Sequence, residues 1–454
     1  MKTYFKVLIV SFLAIASTLS LTGCGTILSS STPTIVVWGF QDEDVFKPII
    51  KDFQSQNKNV NVTYIKKTLD ANYENDALNS ILSGAGPDVW AIPNDWVYRH
   101  KDKLAPMPDT LLSSKKIVAK DYFADIILKD NVIENKIYGL SPTVDVLQAY
   151  YNPTLFDSAK SAFDKANQNN DALRTQIDKI FNNFPITWEE FNKIIPYLTA
   201  KNGATITTAG AAIGSAGNVS DSADLLSLLM LQNQTKITAD DLSQATFNLP
   251  VKNSANQDVF AGKNALDFYT SFSNPGSADY TWNSAQSNDI DAFVNGKVAM
   301  IFGCSNLAGY FRQVYPNFSF AQARVPQVGD TNSIVDFAKY TTYVVPAASP
   351  QQANGWNFIT MLSTDDASTY RSATKEISSR LQQTDVNLKD RGAGTPDAEQ
   401  LKTASDWNKG RYPVELDNLF KDAINRVEAK STGSQASLDT AAAKATEYLR
   451  RSGW

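Results

Sequence analysis

Thr34-Ile35-Val36-Val37-Trp38 reads as a β-strand, and a polar loop over residues 39–44 follows it. Val45, Phe46, Ile49, Ile50 and Phe53 then fall on one helical face. Asp42 or Asp44 can cap that helix, and Pro48 stands close enough to its first turn to be tolerated. A second strand is expected over residues 60–65 and a second helix over residues 73–82. Gly84-Ala85-Gly86-Pro87 breaks that helix, and Asp88-Val89-Trp90-Ala91-Ile92 reads as a third strand. Strand–helix–strand–helix–strand at this spacing predicts an α/β architecture, a parallel sheet covered by helices. Ligands of such sheets bind outside the carboxyl ends of the strands. Those ends are residues 39–44 and 93–97, both rich in polar and aromatic groups, so the cleft is expected there.

Ahead of this unit the chain carries the pattern of an export signal. Residues 1–6 hold two lysines and no acid, and residues 7–19 form an apolar stretch too short to span a bilayer. Leu21-Thr22-Gly23-Cys24 closes it in the manner of a bacterial lipoprotein, which predicts cleavage before Cys24 and acylation of that cysteine. Several acyl chains on one residue give firm attachment, because each buried CH₂ contributes ~0.8 kcal/mol. Residues 25–33, rich in Ser and Thr and free of charge, suit a flexible tether. What remains, about 430 residues, is too much for one core and suits two large lobes.

Composition bounds the function. Hydrophobic residues at 43% and charged residues at 20% describe a globular body, and the net charge of −5 argues against a nucleic-acid partner. Of the two cysteines, lipidation would consume Cys24, leaving Cys304 as an inert, buried thiol with no disulfide framework. Farther along, strands are expected at residues 137–140 and 146–151, on either side of a crossover at 141–145. Residues 155–184 are polar and helix-favouring, with the look of a surface insertion. Pro185-Ile186-Thr187-Trp188-Glu189-Glu190-Phe191 starts a helix with Thr187 and Glu190 as a capping box. Residues 221–232 should be a core helix. The three glycines in 210–218 do not match a dinucleotide fingerprint. Later helices are expected near 261–272, 290–295, 350–362, 416–429 and 437–450.

Several local patterns in order carry a family resemblance: Val37-Trp38 with its acidic loop, Ala85-Gly86-Pro87-Asp88-Val89, Ile137-Tyr138-Gly139-Leu140, Tyr150-Tyr151-Asn152-Pro153-Thr154-Leu155-Phe156, the Thr187 helix start, and Ala292-Phe293-Val294-Asn295-Gly296-Lys297-Val298-Ala299-Met300. Together, behind a lipoprotein signal, they resemble the bacterial extracellular solute-binding proteins of sugar ABC transporters, which are similar in plan to maltose-binding protein. The resemblance implies two α/β lobes, each a mainly parallel sheet flanked by helices, closing on ligand by hinge motion. It places 34–142 and 343–390 in the first lobe and 146–340 and 395–454 in the second. Crossovers would lie near 143–145, 341–342 and 391–394, the last at Gly392-Ala393-Gly394.

A neutral sugar has apolar faces and an equator of hydroxyls, so its site needs flat rings with carboxylates or amides. Alignment with the family puts Gln41, Asp42 and Glu43 in the first polar loop and Asn94, Asp95 and Trp96 in the loop after the third strand. Asp145, with Thr143 beside it, falls at the position of an acidic sugar ligand; Trp282, Ser305, Asn306 and Trp407 complete the candidate set. Asp42 and Glu43 serve equally well as helix caps, and Trp282 and Trp407 as core. Trp38, Trp90, Trp188 and Trp356 read as core.

The chain also departs from the family. The 155–184 stretch has no sugar-binding counterpart, and Cys304-Ser305-Asn306 stands where an aromatic is expected, which leaves the sugar unspecified. Enzyme signals are weak. His100, the single histidine, follows Arg99 in a charged stretch and reads as solvated surface. No zinc cluster, Gly-x-Ser-x-Gly elbow or calcium-loop spacing is present, so no metal or cofactor is expected. The reading is a monomeric, lipid-anchored capture protein on the outer face of the cytoplasmic membrane, presenting a carbohydrate to an ABC permease. Its alternatives are a binder of polyamines or peptides, a surface glycan-degrading enzyme, and a sensory or adhesive lipoprotein.

Overall fold

A computed structural model describes residues 32–203, 205–253, 255–329, 334–382 and 400–451. Cys24, its signal peptide and the Gly392-Ala393-Gly394 crossover lie outside the described residues.

The first unit forms as its periodicity predicts: β1 (Thr34–Gly39), α1 (Glu43–Gln56), β2 (Asn61–Lys66), α2 (Tyr73–Leu82) and β3 (Val89–Pro93). β1 pairs in parallel with both β2 and β3, so it is central to them. Asp88 fixes the entry to β3: one carboxylate oxygen accepts from Val36 N at 2.8 Å and the other from Ser349 Oγ at 2.5 Å. Asp42 occupies the N-cap position of α1 without capping it, because its carboxylate turns to Lys66 at 2.5 Å. Strand Thr341–Val344 then returns antiparallel beside β3, and Gly139–Leu140 closes that edge.

The second sheet has three strands with Leu147–Tyr151 in the centre, paired antiparallel to Met300–Cys304 and Ala321–Arg324. A mainly parallel sheet was expected in this lobe. The difference arises because both neighbours of the central strand come from the chain's distant return, and not from strand–helix–strand units. Two short ladders each have one strand that lies in sequence between strands of the two main sheets: Thr143–Val144, paired with Ile377–Ser378, and Asp336–Phe337, paired with Ala404–Ser405.

Each sheet has its own core. Ile35, Val37, Phe46, Ile49, Val89, Tyr343 and Trp356 belong to one apolar cluster; Phe191, Leu225, Leu228, Phe302 and Phe420 belong to another. Val146, Ala338, Tyr340 and Leu401 pack with the first cluster, although the family-derived boundaries put them in the second lobe. Residues 155–184 are not a surface insertion. They fall within a helical hairpin, Pro153–Ala166 and Asp171–Asn183, started by Asn152 and Asn170 as side-chain caps. Phe156, Phe163, Ile177, Ile180 and Phe181 are buried in the second core. Each such side chain contributes roughly 1.5–3 kcal/mol by leaving water. Thr187 Oγ1 caps Glu190 N as expected, while the Glu190 carboxylate reaches Ile186 N and not the Thr187 amide.

Trp38, Trp90, Trp188 and Trp356 are all buried. His100, expected on a solvated surface, is instead 1% exposed, packed against the Trp90 and Trp96 rings, with Nε2 3.2 Å from Glu74 Oε1. It ends a short helix, Trp96–His100, whose charged surface neighbours masked an inward-facing position. Burial holds its pKa below the ordinary histidine range, against the pull of Glu74.

Candidate functional site

A cavity of about 570 Å³ opens between the two sheets at the carboxyl ends of β1, β2 and β3. Phe40, Gln41, residues 66–69 and Pro93 come from those ends. Thr143, Asp145, Lys339, Tyr340, Thr341 and Glu376 come from the connecting segments, and Ser220, Asp221, Asp289, Phe302, Cys304 and Asn306 from the far side. Strand geometry explains the first group: a strand that runs out of hydrogen-bonding partners delivers its next residues into the space between layers.

Glu376 organises the near wall. Gln41 Nε2 donates to its Oε1 at 2.9 Å and Thr143 Oγ1 to its Oε2 at 2.6 Å. Tyr64 OH in turn donates to the Gln41 carbonyl at 2.6 Å, which fixes the loop after β1. Burial pushes the Glu376 carboxyl above its ordinary pKa, against those two donors. Asp145 organises the far wall. Ser305 N and Val146 N donate to its Oδ1 at 2.6 and 2.8 Å, Ser305 Oγ donates to the same oxygen, and Asn306 N donates to Oδ2 at 3.2 Å. Asp145 thereby ties the crossover to the turn that opens helix Leu307–Val314. Its pKa is pushed up to about 7, first by burial and also by the charge of Glu376.

Of the residues expected at the site, Gln41, Thr143, Asp145 and Asn306 line this cavity, and Ser305 supports it through Asp145. The others stand elsewhere. Asp42 is exposed on Lys66, and Glu43 is exposed in the first turn of α1. Asn94 is a structural crosslink: its side-chain amide donates to Asp130 and Asp406 at 2.9 and 3.1 Å, and its Oδ1 accepts from Tyr340 N. Asp95 pairs with Lys409 at 3.1 Å, and Trp96 is buried in the first lobe. Trp282 is fully buried, with Nε1 donating to Asn218 Oδ1 at 3.0 Å. Trp407 stacks on Phe420, donates to Ser227 Oγ, and shows an edge to a second cavity of about 310 Å³ shared with Asn94, Asp95, Asp130 and Lys409.

Sequence reasoning missed Glu376, Phe40, Tyr340, Asp221 and Lys339. Glu376 follows Lys375, which turns the chain through the left-handed region at φ 64° after helix Ala367–Thr374; no local pattern announces it. Lys339 is held by Asp224 at 2.6 Å and Asp221 at 3.3 Å. Cys304 lines the cavity, partly exposed and not fully buried; burial and the Asp145 and Asp221 charges push its thiol pKa up, which keeps it unreactive. Among the described residues no group of His, Cys, Asp and Glu is arranged to hold a metal. None of their helices is long and apolar enough to cross a membrane.

The fold is shared widely. The chain superposes on a solute-binding protein from Thermotoga lettingae bound with α-D-tagatose, at TM-score 0.70 and 18% identity over 92% of this chain and 100% of that one. A cyclic α-maltosyl-1,6-maltose binding protein from Arthrobacter globiformis gives 0.71 and 18% over 92% and 99%. The sugar-binding protein MalE from Xanthomonas citri gives 0.69 and 17% over 92% and 97%. No curated protein matches. The family model for bacterial extracellular solute-binding proteins matches residues 48–382, most of the chain and all of β3, Thr143, Asp145 and Glu376. The chain belongs to the bacterial extracellular solute-binding protein family.

Proposed function

We propose that this protein captures a carbohydrate between its lobes and presents it to a membrane permease of the ABC type, doing no chemistry itself. The cavity at the strand ends carries this reading, because polar groups from both lobes converge on it and hinge closure would surround a ligand there. Glu376, Gln41, Thr143, Asp145 and Asn306 are the proposed hydrogen-bonding set, and Phe40, Phe302 and Tyr340 the apolar wall. The α-D-tagatose bound in one superposed structure and the sugar-binding names of the other two support the substrate class. The lobes are proposed to meet near residues 143–145 and 341–342. The Leu-Thr-Gly-Cys signal supports export and anchoring through Cys24 to the outer face of the membrane; the protein is proposed to act there as a monomer.

The test is thermal unfolding of the mature body against a panel of mono- and oligosaccharides. A ligand at a hundred times its Kd stabilises by ~2.7 kcal/mol. The expected result is a shift with one glycan class, lost in Glu376→Ala and retained in Asp95→Ala. A shift with peptides alone, or product accumulating from a glycan, would overturn the reading.

A further inference from the structure

We propose that the cleft selects a solute carrying an ammonium group; on the carbohydrate reading above, on which this rests, the ligand is an amino sugar. Negative charge is left over in the cavity once its contacts are assigned. Three lysines line the cavity and all are engaged: Lys66 on Asp42 at 2.5 Å, Lys339 on Asp224 and Asp221, and Lys67 over the Trp38 ring, 3.7 Å from its centroid. Three carboxylates, Glu376, Asp145 and Asp289, are held by neutral donors alone. Gln41 and Thr143 serve Glu376, and backbone amides with Ser305 Oγ serve Asp145. Asp289 accepts from Ser220 N at 3.0 Å, Ser220 Oγ at 2.7 Å and Ile290 N at 2.9 Å. No ion pair to any of the three is found among the described residues.

The acids of the flanking loops are not equivalent. Asp42, Asp44 and Asp95 already have lysine partners, so a cation gains nothing new from them. Inside the cleft the carboxylates lack that compensation and stand in a partly desolvated space, where a bound cation draws them into the ionised form and opposite charge interacts more strongly than in water. A hydroxyl can donate one hydrogen bond and leaves the charge in place; an ammonium donates three and neutralises it. Among the described residues the wall carries no tryptophan and only the smaller rings of Phe40, Phe302 and Tyr340, so stacking has less to offer a fully neutral ring.

The experiment is calorimetric titration of the mature protein with matched disaccharides of α-1,4 and β-1,4 linkage in their amine, N-acetyl and hydroxyl forms. One amine form should bind at least about tenfold tighter than its two analogues, as a charge-assisted contact requires. Raising salt from low to physiological strength should weaken the amine and leave the hydroxyl form unchanged. Glu376→Gln and, separately, Asp289→Asn should erase the preference while thermal unfolding confirms folding. Equal or tighter binding of a hydroxyl form overturns this inference and keeps the carbohydrate reading. Absence of binding by every disaccharide overturns the amino-sugar class itself.

Discussion

Lys409 offers the most quantitative test of how the two lobes are joined. Its side chain is 4% exposed, with Nζ 3.1 Å from Asp95, 2.8 Å from Asp417 and 3.9 Å from Asp224. Burial alone would lower its pKa, but the three carboxylates outweigh burial and hold it far above the ordinary lysine range. Asp417 is pushed up to about 6 by burial even with this cation beside it. Lys409→Met removes the charge and keeps most of the volume, leaving Asp417 and Asp95 without their cation and Asp224 with Lys339 alone. Breaking a buried pair in this way costs ~3 kcal/mol. That corresponds to a fall in Tm of roughly 6–12 °C for a unit the size of one lobe. A carboxyl whose folded pKa lies above its unfolded value loses stability as pH rises between the two. Without Lys409 that gap widens for Asp417, so the deficit should be larger at pH 7.5 than at pH 5. Lys409→Met with Asp417→Leu should recover at least half of the loss. Urea unfolding followed by tryptophan fluorescence measures each quantity. A deficit below ~1 kcal/mol at pH 7.5, where breaking a buried pair should cost several, or one equal at both pH values, would refute the reasoning.

Asp145 gives a second pH signature. With its folded pKa at about 7, well above the ordinary carboxylate range, wild-type protein should lose stability relative to Asp145→Asn as pH rises from 5 to 8. Parallel curves in urea unfolding would show that the carboxyl is not perturbed. Phe163→Ala should cost ~3 kcal/mol, because it opens a cavity in the second core; a loss near zero in the same assay would restore the helical hairpin to the surface. Trp282→Phe should cost ~1 kcal/mol for the lost bond to Asn218 and leave glycan affinity unchanged in calorimetry. A tenfold loss of affinity there would show that the indole contacts ligand.

Much of the first lobe was legible because its elements are local. Strand and helix periodicity alone located β1 through β3, and their parallel order predicted where the cleft would open. The Thr187 cap and the buried helix Ser222–Gln232 were likewise readable from short patterns. What failed depends on distant pairing. The strand partners of Leu147–Tyr151 lie some 150 residues away, so its antiparallel sheet left no local trace. The apolar stripe of the hairpin, Phe156, Phe163 and Ile177 to Phe181, was diluted by the Lys, Asp and Asn residues of its outer face. Gln41, Thr143 and Asp145, on the strand end and the crossover, line the larger cavity as their positions in the chain suggest. The loop after β3 stands away from that cavity, because Asn94 and Asp95 are bonded to Tyr340, Asp406 and Lys409 from far along the chain. Glu376 could not be found without tertiary structure, since its importance lies in two donors, one 233 and the other 335 residues upstream.

Hydrogen–deuterium exchange with and without the glycan that gives the largest thermal shift shows where on the protein the ligand sits. Capture in the cavity at the strand ends predicts new protection in residues 39–41, 143–146, 303–307 and 376–378, from both lobes at once. Protection confined to residues 94–98 and 406–409, around the smaller cavity, would contradict it.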